Sequence, residues 1–116
     1  MDGSIYSLTK IENMCNGNKE FINQMVDLFI EITPALITQL HFGLLESDYK
    51  KIHFAAHKLK LSINMMEIKS IQSEIVSIEK IAKENGDLNT LNTLITHTNA
   101  ILNTVILELK TRQSPL

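Results

Sequence analysis

The sequence is poor in residues that interrupt helices and in residues that cross-link a fold. Its 116 residues include two prolines, four glycines, one cysteine and no tryptophan. A single cysteine, Cys15, excludes an internal disulfide framework and a zinc site built from cysteines, and it suits a reducing cytosol. The scarcity of proline and glycine favours long helices, and the length fits one domain.

Two further absences bear on location and partners. The N-terminus lacks the basic-then-apolar pattern of a signal peptide, and no apolar run approaches the roughly 18 residues of a membrane span. With 11 Lys and Arg against 13 Asp and Glu, the net charge of −2 offers no clustered basic surface for nucleic acid. We therefore expect a cytoplasmic protein that binds neither nucleic acid nor membrane.

Apolar residues at spacings of three and four predict four long helices preceded by a short one. Ser7 is the predicted cap of the short helix, which extends to about Met14. The capping residues predicted for the later helices are Asn18, then Ser47 or Asp48, and Asp87. Gly86 is predicted to adopt the left-handed conformation after the fourth helix.

The second helix is predicted to reach about Leu45 and to be kinked at Pro34, because its apolar spacing resumes after the proline. Its apolar positions are Phe21, Met25, Leu28, Phe29, Ile32, Leu36, Leu40 and Leu44. Short connections between long helices make neighbours antiparallel. The predicted fold is all-α, an antiparallel up-down four-helix bundle with a short extra N-terminal helix. It forms one domain over 1–116, with an ordered core of about 7–111 and a polar tail from Thr111.

A polar stripe on the third helix contains the residues best suited to chemistry. At about 100° per residue, His53, His57, Lys60 and Asn64 lie within about 60° of one another. The apolar core positions Ile52, Ala56, Leu59, Ile63 and Met66 cluster on nearly the opposite side. The histidines are therefore predicted to face solvent.

Three apolar residues flank the polar stripe: Phe54, Leu61 and Met65, at about 80–120° from His53. A neighbouring helix could bury them, as happens to a central helix of a bundle. Alternatively they form a small exposed apolar patch beside the histidines, which is common at partner surfaces. The spacing alone leaves both interpretations open.

The sequence lacks the motifs of most metal-binding and catalytic sites. His53 and His57 could share a metal ion, but the stripe has no acidic ligand and Lys60 opposes a cation, so we predict no metal site. Neither a hydrolase motif nor a nucleotide-binding loop is present. What remains is an exposed imidazole that reacts with phosphate, with Lys60 one turn along the same face. Such a domain could accept and pass on a phosphoryl group but could not take one from ATP.

The run Ala56-His57-Lys58-Leu59-Lys60, followed by Ser62 and Ile63, resembles the signature of histidine-containing phosphotransfer (HPt) domains of two-component phosphorelays. Further stretches resemble the flanks of that signature: Asn16-Gly17-Asn18-Lys19-Glu20-Phe21, Leu28-Phe29 with Pro34, and Asp48-Tyr49. The resemblance covers nearly the whole chain. It implies that His57 accepts a phosphoryl group from a receiver aspartate and passes it to another receiver, with Lys60 offsetting the phosphate charge.

The same resemblance implies the partners, which are receiver domains of response regulators or of hybrid histidine kinases. The residues expected to dock them are His53, Phe54, Lys58, Leu61 and Asn64. We expect a monomer without cofactor and without kinase activity of its own. A chain that begins with Met1 and ends in a polar tail favours a free-standing domain.

Two positions depart from the family pattern, which has glycines four and ten residues after the histidine. Here these positions are Leu61 and Glu67. Leu61 either crowds the approach to His57 or belongs to the docking patch, and Glu67 is strained if its φ is positive. The alternative function is a non-catalytic pseudo-HPt module that docks a receiver or kinase without phosphotransfer. A purely structural bundle is a third reading, and it predicts no receiver binding.

Overall fold

The computed structural model describes residues 5–113 and contains, within that range, five α-helices, one turn of 3-10 helix and no β-strand. The helices are α1 Thr9–Met14, α2 Lys19–Leu45, α3 Tyr49–Met65, α4 Gln72–Lys83 and α5 Leu88–Gln113, and the 3-10 turn Lys69–Ile71 precedes α4. The predicted all-α bundle with a short first helix is confirmed. Helix α5 continues past the predicted tail start at Thr111, and 114–116 lie outside the described residues.

The four long helices pack in a ring, with α3 between α2 and α4, and α5 between the same two helices on the other side of the bundle. The predicted core face of α3 is confirmed, because Ile52, Ala56, Leu59 and Ile63 are fully buried. Before α1, Ile5 and Tyr6 pack partly against the same core. The opposite face of α3 is therefore the one left to solvent.

A buried glycine lets α2 and α3 approach closely where they join. A Cβ atom on Gly43 would lie 2.7 Å from Cγ1 of Ile52. Any larger residue at position 43 would push the two helices apart or displace the Ile52 side chain. Because His57 lies on the same helix as Ile52, this contact also helps to fix the position of His57 along the bundle axis.

Helix α2 passes through Pro34 as one helix and ends at Leu45, as predicted. By length and composition it is apolar enough to cross a membrane, a test that core helices of soluble proteins also pass. The prediction of no membrane span rested on uninterrupted apolar runs, whereas α2 passes on mean hydropathy although Asp27 and Glu31 lie within the helix. The absence of membrane binding stays a prediction.

The apolar residues of α2 do not all face the core. Phe29 is buried, whereas Phe21, Leu28 and Ile32 are 55%, 54% and 40% exposed. Their spacing of seven and four residues keeps these three on one side of the helix. Helix α2 therefore presents an apolar strip to solvent in addition to its core face.

Helix starts follow the predicted capping chemistry with one exception. Asn18, Asp48 and Asp87 each accept hydrogen bonds from backbone N–H groups in the first turn that follows them. Ser7 is not the N-cap of α1, a position that Leu8 occupies. The Ser7 hydroxyl accepts instead from the backbone N–H of Thr9, the first residue of the helix.

The first four helices end in the same motif, in which the residue directly after the C-cap is left-handed and is not glycine. After α1 the next residue, Gly17, also has a positive φ, of 73°. In α3 the Glu67 N–H donates to the Asn64 carbonyl and the Ile68 N–H donates to the Ile63 carbonyl. The left-handed residues of the four motifs are Asn16, Ser47, Glu67 and Asn85, with φ of 50°, 53°, 49° and 52°. Glu67 therefore adopts the conformation for which the family pattern supplies glycine.

The prediction that Gly86 is left-handed is wrong, because Asn85 takes that role. Gly86 is needed for space instead. A Cβ atom there would lie 2.8 Å from Cγ2 of Ile81, so the chain can fold back over the end of α4 only with glycine. The sequence located the turn correctly but assigned the wrong residue to the left-handed position.

Glu67→Gly is expected to raise the free energy of unfolding by about 1 kcal/mol, since glycine adopts positive φ without steric cost. The substitution also removes Oε2 of Glu67, which is buried without a hydrogen-bond partner in the described structure. Urea denaturation measures the change. Asn85→Gly is the matched control and should change stability less, because asparagine tolerates the left-handed region. Equal effects at the two positions would contradict the interpretation.

Candidate functional site

His57 lies in the middle of α3 with its side chain 60% exposed, as the polar stripe predicted. One turn earlier, His53 has its ring nearly parallel to that of His57, with centroids 6.3 Å apart. The His53 side chain is 38% exposed. Both rings are therefore accessible, and His57 is the more open of the two.

A carboxylate from the neighbouring helix joins the residues of this stripe. Oε2 of Glu79, on α4, lies 2.7 Å from Nδ1 of His57, and Oε1 lies 2.8 Å from Nζ of Lys60. His53 is more distant, with Nε2 at 3.8 Å from Oε2. The Glu79 side chain is only 15% exposed. Reasoning from the sequence missed this residue.

The contacts of Glu79 determine its charge. The hydrogen bond from Lys60 lowers the pKa of Glu79, and burial opposes this; the hydrogen bond from His57 lowers it further. Glu79 is therefore ionised at neutral pH. An ionised carboxylate only accepts hydrogen bonds, so Nδ1 of His57 carries a proton, and in the neutral ring Nε2 carries the lone pair.

Lys60 was predicted to stabilise a phosphoryl group on His57, and in this structure it is paired with Glu79. Its side chain is 31% exposed, so the ammonium remains reachable from solvent. It neutralises a carboxylate that would otherwise repel an incoming phosphate. To contact a phosphoryl group directly, Lys60 would have to share or exchange its ion pair with Glu79.

An apolar groove between α2 and α3 begins beside the histidine. Phe54 and Leu61 are 52% and 64% exposed, so no neighbouring helix covers them, whereas Met65 is half-buried against the core. The predicted patch is therefore exposed at two of its three residues. The residues that line this apolar groove are Ile11, Met25, Leu28, Phe29, Ile32, Leu61, Ser62, Met65 and Met66. Leu61 thus forms one wall of the groove.

On the other side of the histidines, a cleft of about 500 Å³ lies between α3 and α4. The residues that line this α3–α4 cleft are Tyr49, Lys50, His53, Phe54, His57, Ala82, Lys83 and Asn85. His57 therefore lies at the wall of the cleft, and Phe54 belongs to it rather than to the apolar groove.

The last two predicted docking residues lie at the margins of these surfaces. Nζ of Lys58 lies 4.7 Å from the centre of the Phe54 ring, a cation–π contact on the outer side of α3. Asn64 is exposed and lines neither the groove nor the cleft, while its backbone carbonyl accepts a hydrogen bond from Nζ of Lys10. Docking roles for both stay predictions.

A second histidine is paired with a carboxylate on the opposite flank of α4. Nδ1 of His97, on α5, lies 2.6 Å and 2.7 Å from the two carboxylate oxygens of Glu74. The His97 side chain is 49% exposed, close to the value for His57. Within residues 5–113, Glu74 forms no ion pair with a lysine. His97 therefore reproduces the bond to a carboxylate without the cation that accompanies His57.

The described part of the chain holds no group of three or more His, Cys, Asp or Glu side chains placed to bind a metal ion. Glu79 approaches both histidines of α3, but Lys60 occupies its other oxygen. The predictions of no metal site and no cofactor stay predictions.

No protein-family model matches this sequence, and a search of the curated proteins found no similar chain. Among solved structures, histidine-containing phosphotransfer protein B (HptB) from Pseudomonas aeruginosa superposes with a TM-score of 0.82 over 96% of both chains. This chain has the HPt fold. The sequence identity is 15%, so the likeness to HptB establishes the fold and leaves the chemistry to be argued from the site.

The pairing of Glu79 is expected to make stability depend on pH. Its pKa in the folded protein is lower than in the unfolded chain, so the stabilisation is present above the ordinary value of 4.5 and is lost as the pH falls through the lowered value. The difference in unfolding free energy between wild type and Glu79→Gln should therefore be largest at neutral pH and shrink below about pH 4.5.

Urea denaturation at several pH values measures this difference. Glu84→Gln, which removes an exposed carboxylate just after α4, controls for the loss of one negative charge from the region. A difference for Glu79→Gln that is constant from neutral to acidic pH would contradict the assigned ion pair.

Removing the Glu79 side chain is expected to let the neutral His57 ring populate both of its tautomers. In wild type, ¹⁵N NMR should show a protonated Nδ1 and an unprotonated Nε2 for His57, because the carboxylate fixes this tautomer. In Glu79→Ala the two tautomers should be mixed. Glu74→Ala is the matched control, since it should alter the spectrum of His97 and leave that of His57 unchanged.

Proposed function

We propose that this protein is a phosphorelay intermediate that accepts a phosphoryl group on His57 from a receiver-domain aspartate and passes it to another receiver. The observation that supports this most strongly is the hydrogen bond between Nδ1 of His57 and Glu79 on an HPt fold. It leaves Nε2 of an exposed ring as the nucleophilic nitrogen. The protein would not use ATP itself.

The transfer is a simple exchange of one bond for another. The lone pair of Nε2 attacks the phosphorus of the aspartyl phosphate, the bond between phosphorus and the aspartate oxygen breaks, and the aspartate leaves as a carboxylate. The reverse steps move the group to the next receiver. No oxidant, reductant or cofactor is required, and any divalent metal ion would belong to the receiver.

The neighbours of His57 provide the electrostatic support that this exchange needs. The attack on phosphorus places positive charge on the imidazole ring, which the Glu79 carboxylate stabilises through Nδ1–H. Lys60 offsets the negative charge of the phosphoryl group, provided that it exchanges part of its pairing with Glu79. Glu79 thus acts on the reaction through His57 and Lys60, as a positioning residue.

Receiver docking would use the surfaces on both sides of the ring. The apolar groove supplies Leu61 and the exposed strip of α2, and the α3–α4 cleft supplies His53 and Phe54. Contiguous apolar surface with a polar border is typical of protein interfaces. The encounter would take place in the cytoplasm between a receiver domain and a monomer of this protein.

None of these contacts favours the alternative of docking without transfer. Leu61 lines the groove, and the His57 side chain remains 60% exposed beside it. Glu67 adopts the left-handed conformation that a glycine would provide, so the end of α3 is kept. The two departures from the family pattern therefore leave the ring accessible and its helix intact.

Incubation with aspartyl-phosphorylated receiver domains tests the proposal. Wild type should gain the mass of one phosphoryl group, labile to acid and stable to base, and His57→Gln should gain none, since it lacks the nucleophilic nitrogen. His97→Gln is the matched control and should be labelled like wild type, because it removes the other histidine that is paired with a carboxylate. Receiver binding without mass gain in wild type would contradict transfer and support the pseudo-HPt module.

A further inference from the structure

Helix α3 carries basic side chains and no acidic ones. Over Tyr49–Met65 the helix has four lysines and two histidines but no aspartate or glutamate. The chain as a whole has more acidic than basic residues. The helix that carries His57 is therefore a local cationic feature of an acidic protein.

The lysines of α3 differ in their partners. Lys51 and Lys60 each lie 2.8 Å from a carboxylate oxygen, of Glu46 and Glu79 respectively. Lys50 is exposed and lines the α3–α4 cleft, where exposed Lys83 of α4 joins it. The residues that line this cleft include no carboxylate, and Glu79, which contacts His53 and His57 from behind the lining, is already paired with Lys60. Lys50 and Lys83 are therefore the charged side chains that the cleft itself presents.

A hydrogen bond joins the two helices that form the cleft, and His57 is one of the residues that line it. The Tyr49 hydroxyl donates a 2.7 Å hydrogen bond to the Gly86 carbonyl, which ties the start of α3 to the end of α4. Tyr49, Phe54 and Ala82 are the apolar residues of the cleft lining. His57 is part of the lining, so a group held in the cleft lies next to the phosphorylation site.

We propose that the α3–α4 cleft binds carboxylate side chains of the receiver that exchanges its phosphoryl group with His57, through Lys50 and Lys83. The inference rests on the proposed function and assigns a partner chemistry to one side of the site. A receiver brings an aspartyl phosphate to His57 and retains a free aspartate after transfer, so its surface at this point is anionic in both states. The two lysines of the cleft complement it.

The cleft and the apolar groove would then orient the receiver together. Along α3 the cleft lining ends at His57 and the groove lining begins at Leu61, one turn later. The cleft carries lysines, and the groove is lined by apolar side chains such as Leu28 and Ile32. A receiver with carboxylates on one side of its aspartate and apolar residues on the other fits in a single direction. Flexible, exposed ammonium groups suit such border contacts better than they suit a buried site for a small ion.

The test compares two double variants with the same change in charge. Lys50→Gln/Lys83→Gln removes the lysines of the cleft, and Lys19→Gln/Lys69→Gln removes two exposed lysines outside it. The probe is a receiver domain that transfers its phosphoryl group to wild type. We expect the cleft variant to bind it about tenfold more weakly at low salt and with a shallower salt dependence. The control should bind within about twofold of wild type.

A second readout separates the chemistry of His57 from docking. Phosphoramidate, a small donor that needs no protein surface, should label His57 to the same extent in wild type and in both double variants. Equal receiver affinity of the cleft variant and the control would overturn the inference while leaving the relay intact. Failure of every receiver to phosphorylate wild type that phosphoramidate does label would overturn the proposed function instead.

Inorganic phosphate tests whether a free anion is the true occupant. NMR titration should show no saturable shift of the Lys50 and Lys83 signals up to millimolar phosphate. Saturation at low millimolar concentration would identify a small-anion site and overturn the assignment to receiver carboxylates.

Discussion

The carboxylate of Glu79 is the interaction on which the candidate site depends. It accepts hydrogen bonds from His57 and Lys60 of α3, although it belongs to α4. The packing of these two helices therefore determines which nitrogen of His57 carries the proton. It also determines where the ammonium group of Lys60 lies. Buried Ile75 and Ile78 hold α4 in the core, so the reactivity of an exposed ring rests on interior contacts.

The fold could be predicted from the sequence because most of the information is local. Helix periods, the caps Asn18, Asp48 and Asp87, and the core face of α3 each depend on residues close together in the chain. Glu79 could not be found in this way, because a helical wheel relates only residues of one helix and Glu79 is 22 positions from His57. A usable signal was its place directly after core residue Ile78, at the border of the buried face of α4.

Two further features could not be predicted for the same reason. Periodicity gave the angle of Phe54 and Leu61 around α3 but not whether a neighbour covers that angle, so their exposure had to come from the packing. At the end of α4, composition marked the turn, but the left-handed position falls on Asn85, whose N–H donates to the Ala82 carbonyl while the Gly86 N–H donates to the Ile81 carbonyl. Both features depend on contacts that periodicity and composition do not specify.

The position of the single His57 ring between the groove and the cleft has a kinetic consequence for the proposed relay. Donor and acceptor receivers would use the same ring and the same two flanking surfaces, so they cannot be seated at once. Turnover would be ping-pong, with the first receiver dissociating before the second arrives. Very tight binding of either receiver would then slow the relay, and the throughput of the protein would be limited by the residence time of its complexes.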